Sequence, residues 1–225
     1  LERMVLLWLA VLRVPSSREV IASRVWSPSF TTKDLSAAFR NLGLRSLIER
    51  GPNGADEMCY FLQGVILEFA SDYIVDQVQH EIESCEAHVL HDISLIDTSS
   101  PEYIIDAQKR LIVDRIGAPF LASRGLHGYL TLLTTLLASI GERRSYAAGN
   151  IVNLHTRCEP VLRSLDLAGA TVVNADLRNV HLLGSDLDGA HIERALLRNT
   201  YGTLIEVRYS HDDAFLLGAA TEFSL

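Results

Sequence analysis

Four side chains near the middle of the chain have the chemistry of metal ligands: Cys85, His88, His91 and Asp92. A closed zinc site needs such groups to converge on one point at tetrahedral geometry. On a continuous helix, Cys85 and His91 lie six residues apart and point in different directions. Cys85 also falls on an apolar stripe, so the spacing predicts no metal site. His155 and Cys158 form an isolated pair. His181 and His191 fall at outward, solvated positions of the repeat set out below. Phosphate-binding glycine loops and the strained G-x-S-x-G turn are both absent. No acid–base set converges, so the expectation is a chain with no catalytic residues and no cofactor of its own.

Charge directs attention to contacts instead. The 225 residues carry a net charge of −8. Residues 1–63 hold eight Lys/Arg and six Asp/Glu, whereas residues 64–97 hold eight acids and no Lys or Arg. In that acidic stretch Glu68, Asp72 and Asp76 recur every four residues, where like charges on a helix repel. Such a face predicts docking on a protein partner, or on an upstream domain, with a basic surface. The basic residues Lys33, Arg40, Arg45 and Arg50 are diluted by Asp34, Glu49, Asp56 and Glu57. That mixture is a poor phosphate footprint, so nucleic acid is not the expected partner. Asp166 and Asp186 stack on an outer face, as in acidic mimics of DNA, but Arg178 and Arg198 break the field.

Bulk composition sets the frame for these groups. Hydrophobic residues make up 48% of the chain and charged residues 21%, which suits buried cores and argues against disorder. Three cysteines, Cys59, Cys85 and Cys158, are odd in number and far apart, as in a reducing compartment. The apolar stretches at 4–12 and 129–140 are too short to span a bilayer. The expectation is a soluble, cytoplasmic protein. The chain opens at Leu1 inside a helical pattern, which predicts an upstream domain.

Periodicity supplies the elements. Residues 2–14 read as a helix apolar on nearly all sides, ended by Pro15. Ser16 with Glu19, and Thr31 with Asp34, are capping-box patterns for two further helices. Leu35, Ala38, Phe39 and Leu42 give the third helix one apolar face. Strands at 47–50 and 58–62 flank a turn at 51–54, so residues 1–63 follow the winged-helix order. Residues 64–158 read as an all-α connector. Its first helix is predicted to run from 65 to 96, with Ile74, Val78, Ile82, Cys85, Val89 and Ile93 as its stripe. Ser100 and Pro101 are predicted to start the next, which turns Ile104, Ala107 and Leu111, and also Ile112, inward. Helices at 126–140 and 145–154 follow.

The strongest pattern is a period of five. Leu162, Leu167, Val172, Leu177, Leu182, Leu187, Ile192 and Leu197 recur at that interval, each with a mostly small residue two positions before it. Neither a helix nor a strand brings every fifth side chain to one side. A common inward direction requires the chain to turn once per five residues. Four turns make a square coil, and residues twenty apart then stack. A coil this short needs caps at both ends, from the helix before it and the strands after it. The units Ala175-Asp176-Leu177-Arg178-Asn179 and Ser185-Asp186-Leu187-Asp188-Gly189 resemble the pentapeptide repeat. Residues 159–200 are therefore read as a right-angled β-solenoid. Residues 201–225, with Ser210-His211-Asp212-Asp213 before Phe215-Leu216-Leu217-Gly218, resemble the first hairpin of a WD-repeat blade.

The fold class expected is multidomain α+β: winged helix, all-α connector, short β-solenoid and C-terminal β-hairpin. That order resembles the STAND-class signalling ATPases of bacteria with an NB-ARC nucleotide-binding module. Residues 44–49, 103–111 (YIIDAQKRL) and 146–154 (YAAGNIVNL) are similar to the linker region of that family. The resemblance implies a non-catalytic regulatory segment, with ATP or ADP held by an upstream module. In the family a histidine after the wing senses the β-phosphate of ADP. Gln63 occupies that place here, and its amide can donate a hydrogen bond but cannot carry charge. The alternative is a winged-helix transcription regulator that binds DNA and carries a repeat effector arm.

Overall fold

A computed structural model describes residues 1–25, 30–52, 57–141, 144–163, 165–183, 185–187 and 189–202. The predicted hairpin at 201–225 lies outside these, apart from residues 201 and 202. The chain forms two compact units, Leu1–Gln77 and Val78–Leu225.

The first unit holds three helices and a hairpin. Helix α1 (Glu2–Leu12) buries Met4, Val5 and Leu7 to Leu12, because few of its positions are polar. It ends where Arg13 turns left-handed (φ 57°), two residues before Pro15. Helix α2 (Arg18–Arg24) is capped by Ser17, whose hydroxyl accepts from the Val20 amide. The expected cap was Ser16. Ser16 instead exchanges two backbone hydrogen bonds with Tyr60, of 2.9 and 2.8 Å, so it is spent as a strand residue. Helix α3 (Thr32–Leu44) starts with the expected capping box between Thr31 and Asp34. It buries Leu35, Ala38, Phe39 and Leu42 as the spacing requires. Strands β1 (Glu49–Pro52) and β2 (Met58–Phe61) pair antiparallel, with Glu49 opposite Phe61.

Helix α4 (Gly64–Ser84) is shorter than the sequence predicts. It stops because Cys85 adopts φ 59°, a left-handed cap conformation that no helix interior tolerates. Val89 and Ile93 remain buried, but in the short helix α5 (Val89–Asp92) and the segment after it. Glu81 makes that arrangement possible. Its carboxylate is 3% exposed and accepts from the amides of Val89 (2.5 Å) and Leu90 (3.1 Å). Helix α6 (Glu102–Gln108) takes Pro101, not Ser100, as its N-cap. A π-helical turn at Lys109–Val113 joins it to α7 (Asp114–Ser139). The wider turn rotates the buried face. Gln108, Ile112 and Val113 go in, while Ala107 and Leu111, expected inside, are half-exposed. A break at Gly125 (φ 67°, ψ 176°) divides α7 into two limbs. Helix α8 (Ala147–Cys158) completes the helical layer.

The strands that follow are three residues each: β3 (Val161–Arg163), β4 (Thr171–Val173), β5 (His181–Leu183) and β6 (His191–Glu193), with β7 at Tyr201–Gly202. They pair in parallel at an offset of twenty residues: Leu162 with Leu182, Val172 with Ile192, His181 with Tyr201. Bridges from Asp166 to Asp186 and from Asp176 to Leu196 fill the sides between. The turn at the corners has a single residue in the left-handed region, at Gly169, Asn174, Asn179, Gly189, Arg194 and Asn199. They fall at intervals of five, except that Asn179 and Gly189 are ten apart with the position between them outside the described residues, and Gly and Asn tolerate that backbone best. No sheet closes on itself among the described residues. None of the described helices is long and apolar enough to cross a membrane.

Candidate functional site

The second unit is organised around α8. The sequence from Tyr146 to Leu154 is buried at every position, polar residues included. Two asparagines three residues apart make that burial tolerable. Asn150 is fully buried; its amide donates to the Leu90 and Ile93 carbonyls (3.0 and 2.8 Å) and accepts from Leu95 (2.7 Å). Asn153 does the same for the repeat coil. Its amide donates to the Asn174 carbonyl at 2.9 Å and accepts from the Asp176 amide at 2.8 Å. Those backbone groups face the edge of the first turn, where a preceding turn would otherwise pair. Asn153 therefore closes an edge that would be open to another strand. Gly149 allows the approach. A Cβ there would stand 1.9 Å from the Val173 carbonyl oxygen, so any side chain forces α8 and β4 apart.

Beside this junction lies a charged groove of about 460 Å³. Asp176 is at its centre, 8% exposed. Lys109, presented by the π-helical turn, reaches its carboxylate at 2.6 Å. Arg178 grips both oxygens at 2.8 and 2.6 Å and extends its other nitrogen to Glu102 at 2.8 Å. Burial pushes the Asp176 carboxyl up, but hydrogen bonds from Arg178 and Lys109 outweigh it and hold it below its usual range. The Arg178 bond likewise lowers Glu102. Arg157 at the rim is held by both oxygens of Asp114, at 2.6 and 2.9 Å. Across the mouth, Asn199 donates to Asn179 at 3.0 Å, one turn of the coil apart. The groove is thus a closed ion network that fixes the coil against α6 and the π-helical turn.

The residues singled out from the sequence fall as follows. Of the repeat column, Leu162, Leu167, Val172, Leu177 and Leu182 are at most 3% exposed. Leu187, Ile192 and Leu197 are half-buried. Cys85 Sγ sits 3.9 Å from the Ser139 hydroxyl, and His91 Nδ1 2.7 Å from Ser145. With α4 ended before Cys85, the helical spacing assumed for Cys85, His88 and His91 does not exist. Among the described residues no three His, Cys, Asp or Glu side chains gather as metal ligands would. Burial lowers the pKa of His155 and raises that of the Cys158 thiol, the reverse of an activated nucleophile. His181 and His191 are exposed, and His181 stacks on Tyr201 at 4.8 Å. Glu68 and Asp76 are exposed on α4, with Asp72 half-exposed between them. Val65 and Phe69 stand on the same helix at 78% and 70% exposure. Gln63 is exposed and donates to Glu49 at 2.5 Å. Arg45 pairs with Glu2, while Lys33, Arg40 and Arg50 are exposed.

Sequence reasoning did not find Gly149, Asn150, Asn153 or Lys109. The clue for the first three was present: two asparagines and a glycine inside an apolar helix need a reason. Nothing in the sequence announced Lys109, because the π-helical turn aims it.

Known proteins resemble this chain in two respects. The pentapeptide-repeat family matches residues 162–200 in eight copies. Over 261 aligned positions, covering 99% of this chain, it is 22% identical to an uncharacterized WD repeat-containing protein of Nostoc sp.. The chain spans 20% of that relative's length. No solved structure matches it.

Proposed function

We propose that this repeat-containing chain is a non-catalytic regulatory and sensing segment of a nucleotide-switched signalling protein of the STAND class with an NB-ARC module. In this reading residues 1–63 are a winged helix, residues 64–158 a helical linker and residues 159–200 a short right-angled β-solenoid. The residues after 200 open a WD-repeat propeller. The observation that carries the reading is α8, buried on all sides and stapled by Asn150 to the α5 segment and by Asn153 to the coil. A repeat that reads a signal must pass a displacement to the elements before it. A helix tied at both faces passes it without slack. The full-length alignment with a WD repeat-containing relative supports the same reading.

ATP or ADP would sit in an upstream module, and the partner is that module or a protein with a basic surface, in the cytoplasm. Glu68, Asp72 and Asp76 offer the acidic face, and Val65 and Phe69 the apolar contacts beside it. Gln63 would touch nucleotide only by leaving Glu49, so its place is a weak phosphate sensor. The test is amide exchange on a protein that joins this chain to the nucleotide-binding module the reading requires. ADP in place of ATP should change exchange at residues 63–69. Identical exchange in both states removes the switch.

A second reading is a winged-helix regulator that binds DNA. It is favoured by Arg40 and Arg50, which line one groove that has no Asp or Glu among its described lining residues. Salt-dependent binding to arbitrary duplex would support it, and no binding at low salt would exclude it.

A further inference from the structure

The groove in the first unit encloses about 390 Å³ between α3, the start of α2 and the hairpin. Arg18, Arg40 and Arg50 line it with Phe39, Leu44 and Tyr60, and no Asp or Glu does among the described residues. Arg18 is the unusual member. Its guanidinium lies 5.6 Å from the Phe39 ring centre and 5.7 Å from that of Tyr60. It donates to the Ser36 hydroxyl at 3.3 Å and to the Tyr60 hydroxyl at 2.7 Å. Its Nε is buried with no hydrogen-bond partner. No carboxylate forms an ion pair with Arg18, Arg40 or Arg50 among the described residues. Glu19 lies near Arg18, but its carboxylate is drawn down first by its own backbone amide and the Ser17 hydroxyl, and least by Arg18.

A half-buried guanidinium without a counter-ion is costly unless something supplies one. The aromatic rings hold it in place and cannot neutralise it. We propose that this groove receives an acidic peptide segment carrying an aliphatic or aromatic side chain next to its carboxylates. The carboxylates would meet Arg18, Arg40 and Arg50, the first already aimed. The apolar side chain would cover Leu44, which is 79% exposed at the rim. Gly43 leaves that wall open, since nothing lies within 4 Å of where its Cβ would be. Duplex DNA fits less well. A phosphate backbone gains nothing from an exposed leucine, and Arg45, the next cation along α3, is spent on Glu2. This inference does not depend on the nucleotide-switch reading.

The test is fluorescence anisotropy of the full chain with a fluorescein-labelled peptide, Asp-Glu-Phe-Leu-Asp-amide, at low salt. Its Asn-Gln-Phe-Leu-Asn counterpart and a labelled duplex are the comparators. The acidic peptide should bind about tenfold or more tightly than its amide counterpart. Arg40→Gln and Arg50→Gln should each weaken it by about tenfold, and Leu44→Ser by roughly threefold. Arg18→Gln should abolish binding, but Arg18 also holds Tyr60, so its loss could disturb the fold. Gly43→Glu serves instead, because it places a carboxylate in the groove on a helix that accepts it. That variant should bind no peptide and keep its circular dichroism. Three results overturn the proposal: no peptide binding, binding indifferent to Gly43→Glu, or a duplex that binds tighter than the peptide and ignores Leu44→Ser.

Discussion

In the second unit Arg178 gives its polar edge to carboxylates, two oxygens of Asp176 and one of Glu102. In the first unit Arg18 gives its edge to a serine, a phenol and the faces of two rings. Both guanidiniums are half-buried. What differs is the counter-ion. A cation closed by acids is a strut, and removing its acid strands it. A cation closed by neutral groups keeps its charge for a molecule that arrives later.

Substitutions at the closed ion network and the junction beside it should do the most damage. Gly149→Ala drives a methyl into the Val173 carbonyl, and should destabilise the second unit by about 3 kcal/mol or more. Chemical denaturation followed by circular dichroism measures it. Asp176→Asn removes the charge that Lys109 and Arg178 share and leaves Arg178 only its bond to Glu102. A loss of about 2–3 kcal/mol is expected, below that of a fully buried pair because both cations reach water. The same carboxylate fixes a pH response. Its pKa is lower folded than unfolded, so its contribution is full above its ordinary range near 3.8 and fades as pH falls through the folded value. His155 acts earlier. Burial lowers its pKa below the usual 6.5, so protonation favours the unfolded chain and stability declines as pH drops under that value. Acid titration of Asp176→Asn should retain the His155 phase and shrink the lower one, to which Glu102 also contributes.

Smaller effects sharpen the contrast. Among the described corners of the coil, Arg194 is the one that puts an ordinary long side chain in the left-handed region, at φ 49°. Arg194→Gly should stabilise the coil by about 0.5–1 kcal/mol in thermal unfolding. Arg40→Gln, at the open groove, should change stability by less than about 0.5 kcal/mol. A large loss there would mean the groove is a strut after all.

The sequence disclosed what repeats and hid what happens once. Five-residue spacing is a physical constraint on the chain, so the stacking of Leu162 on Leu182 could be read in advance. The capping box at Thr31 and Asp34 was equally local. The end of α4 was not, because Cys85 in a left-handed turn contradicts the apolar stripe that runs on through Val89 and Ile93. Tertiary contacts, with Glu81 capping α5, outweighed the periodicity. The π-helical turn hid Lys109 for a related reason: one extra residue per turn shifts every later position around the axis. Asp176 lies two residues before Arg178, so that pairing was local, whereas Glu102 and Lys109, which complete the network, and Tyr60, which holds Arg18, are distant in the chain.

The twenty-residue offset between paired strands also sets which insertions and deletions the gene can survive. Splicing in five residues ahead of Asp176 would swing its carboxylate a quarter-revolution from Lys109 and uncouple the coil from its helices. Adding a whole revolution beyond Asn199 would leave that clasp untouched and lengthen the coil by one strand spacing, about 4.8 Å. Length can therefore drift at the far end in whole revolutions, while the near end is held to a fixed reading distance.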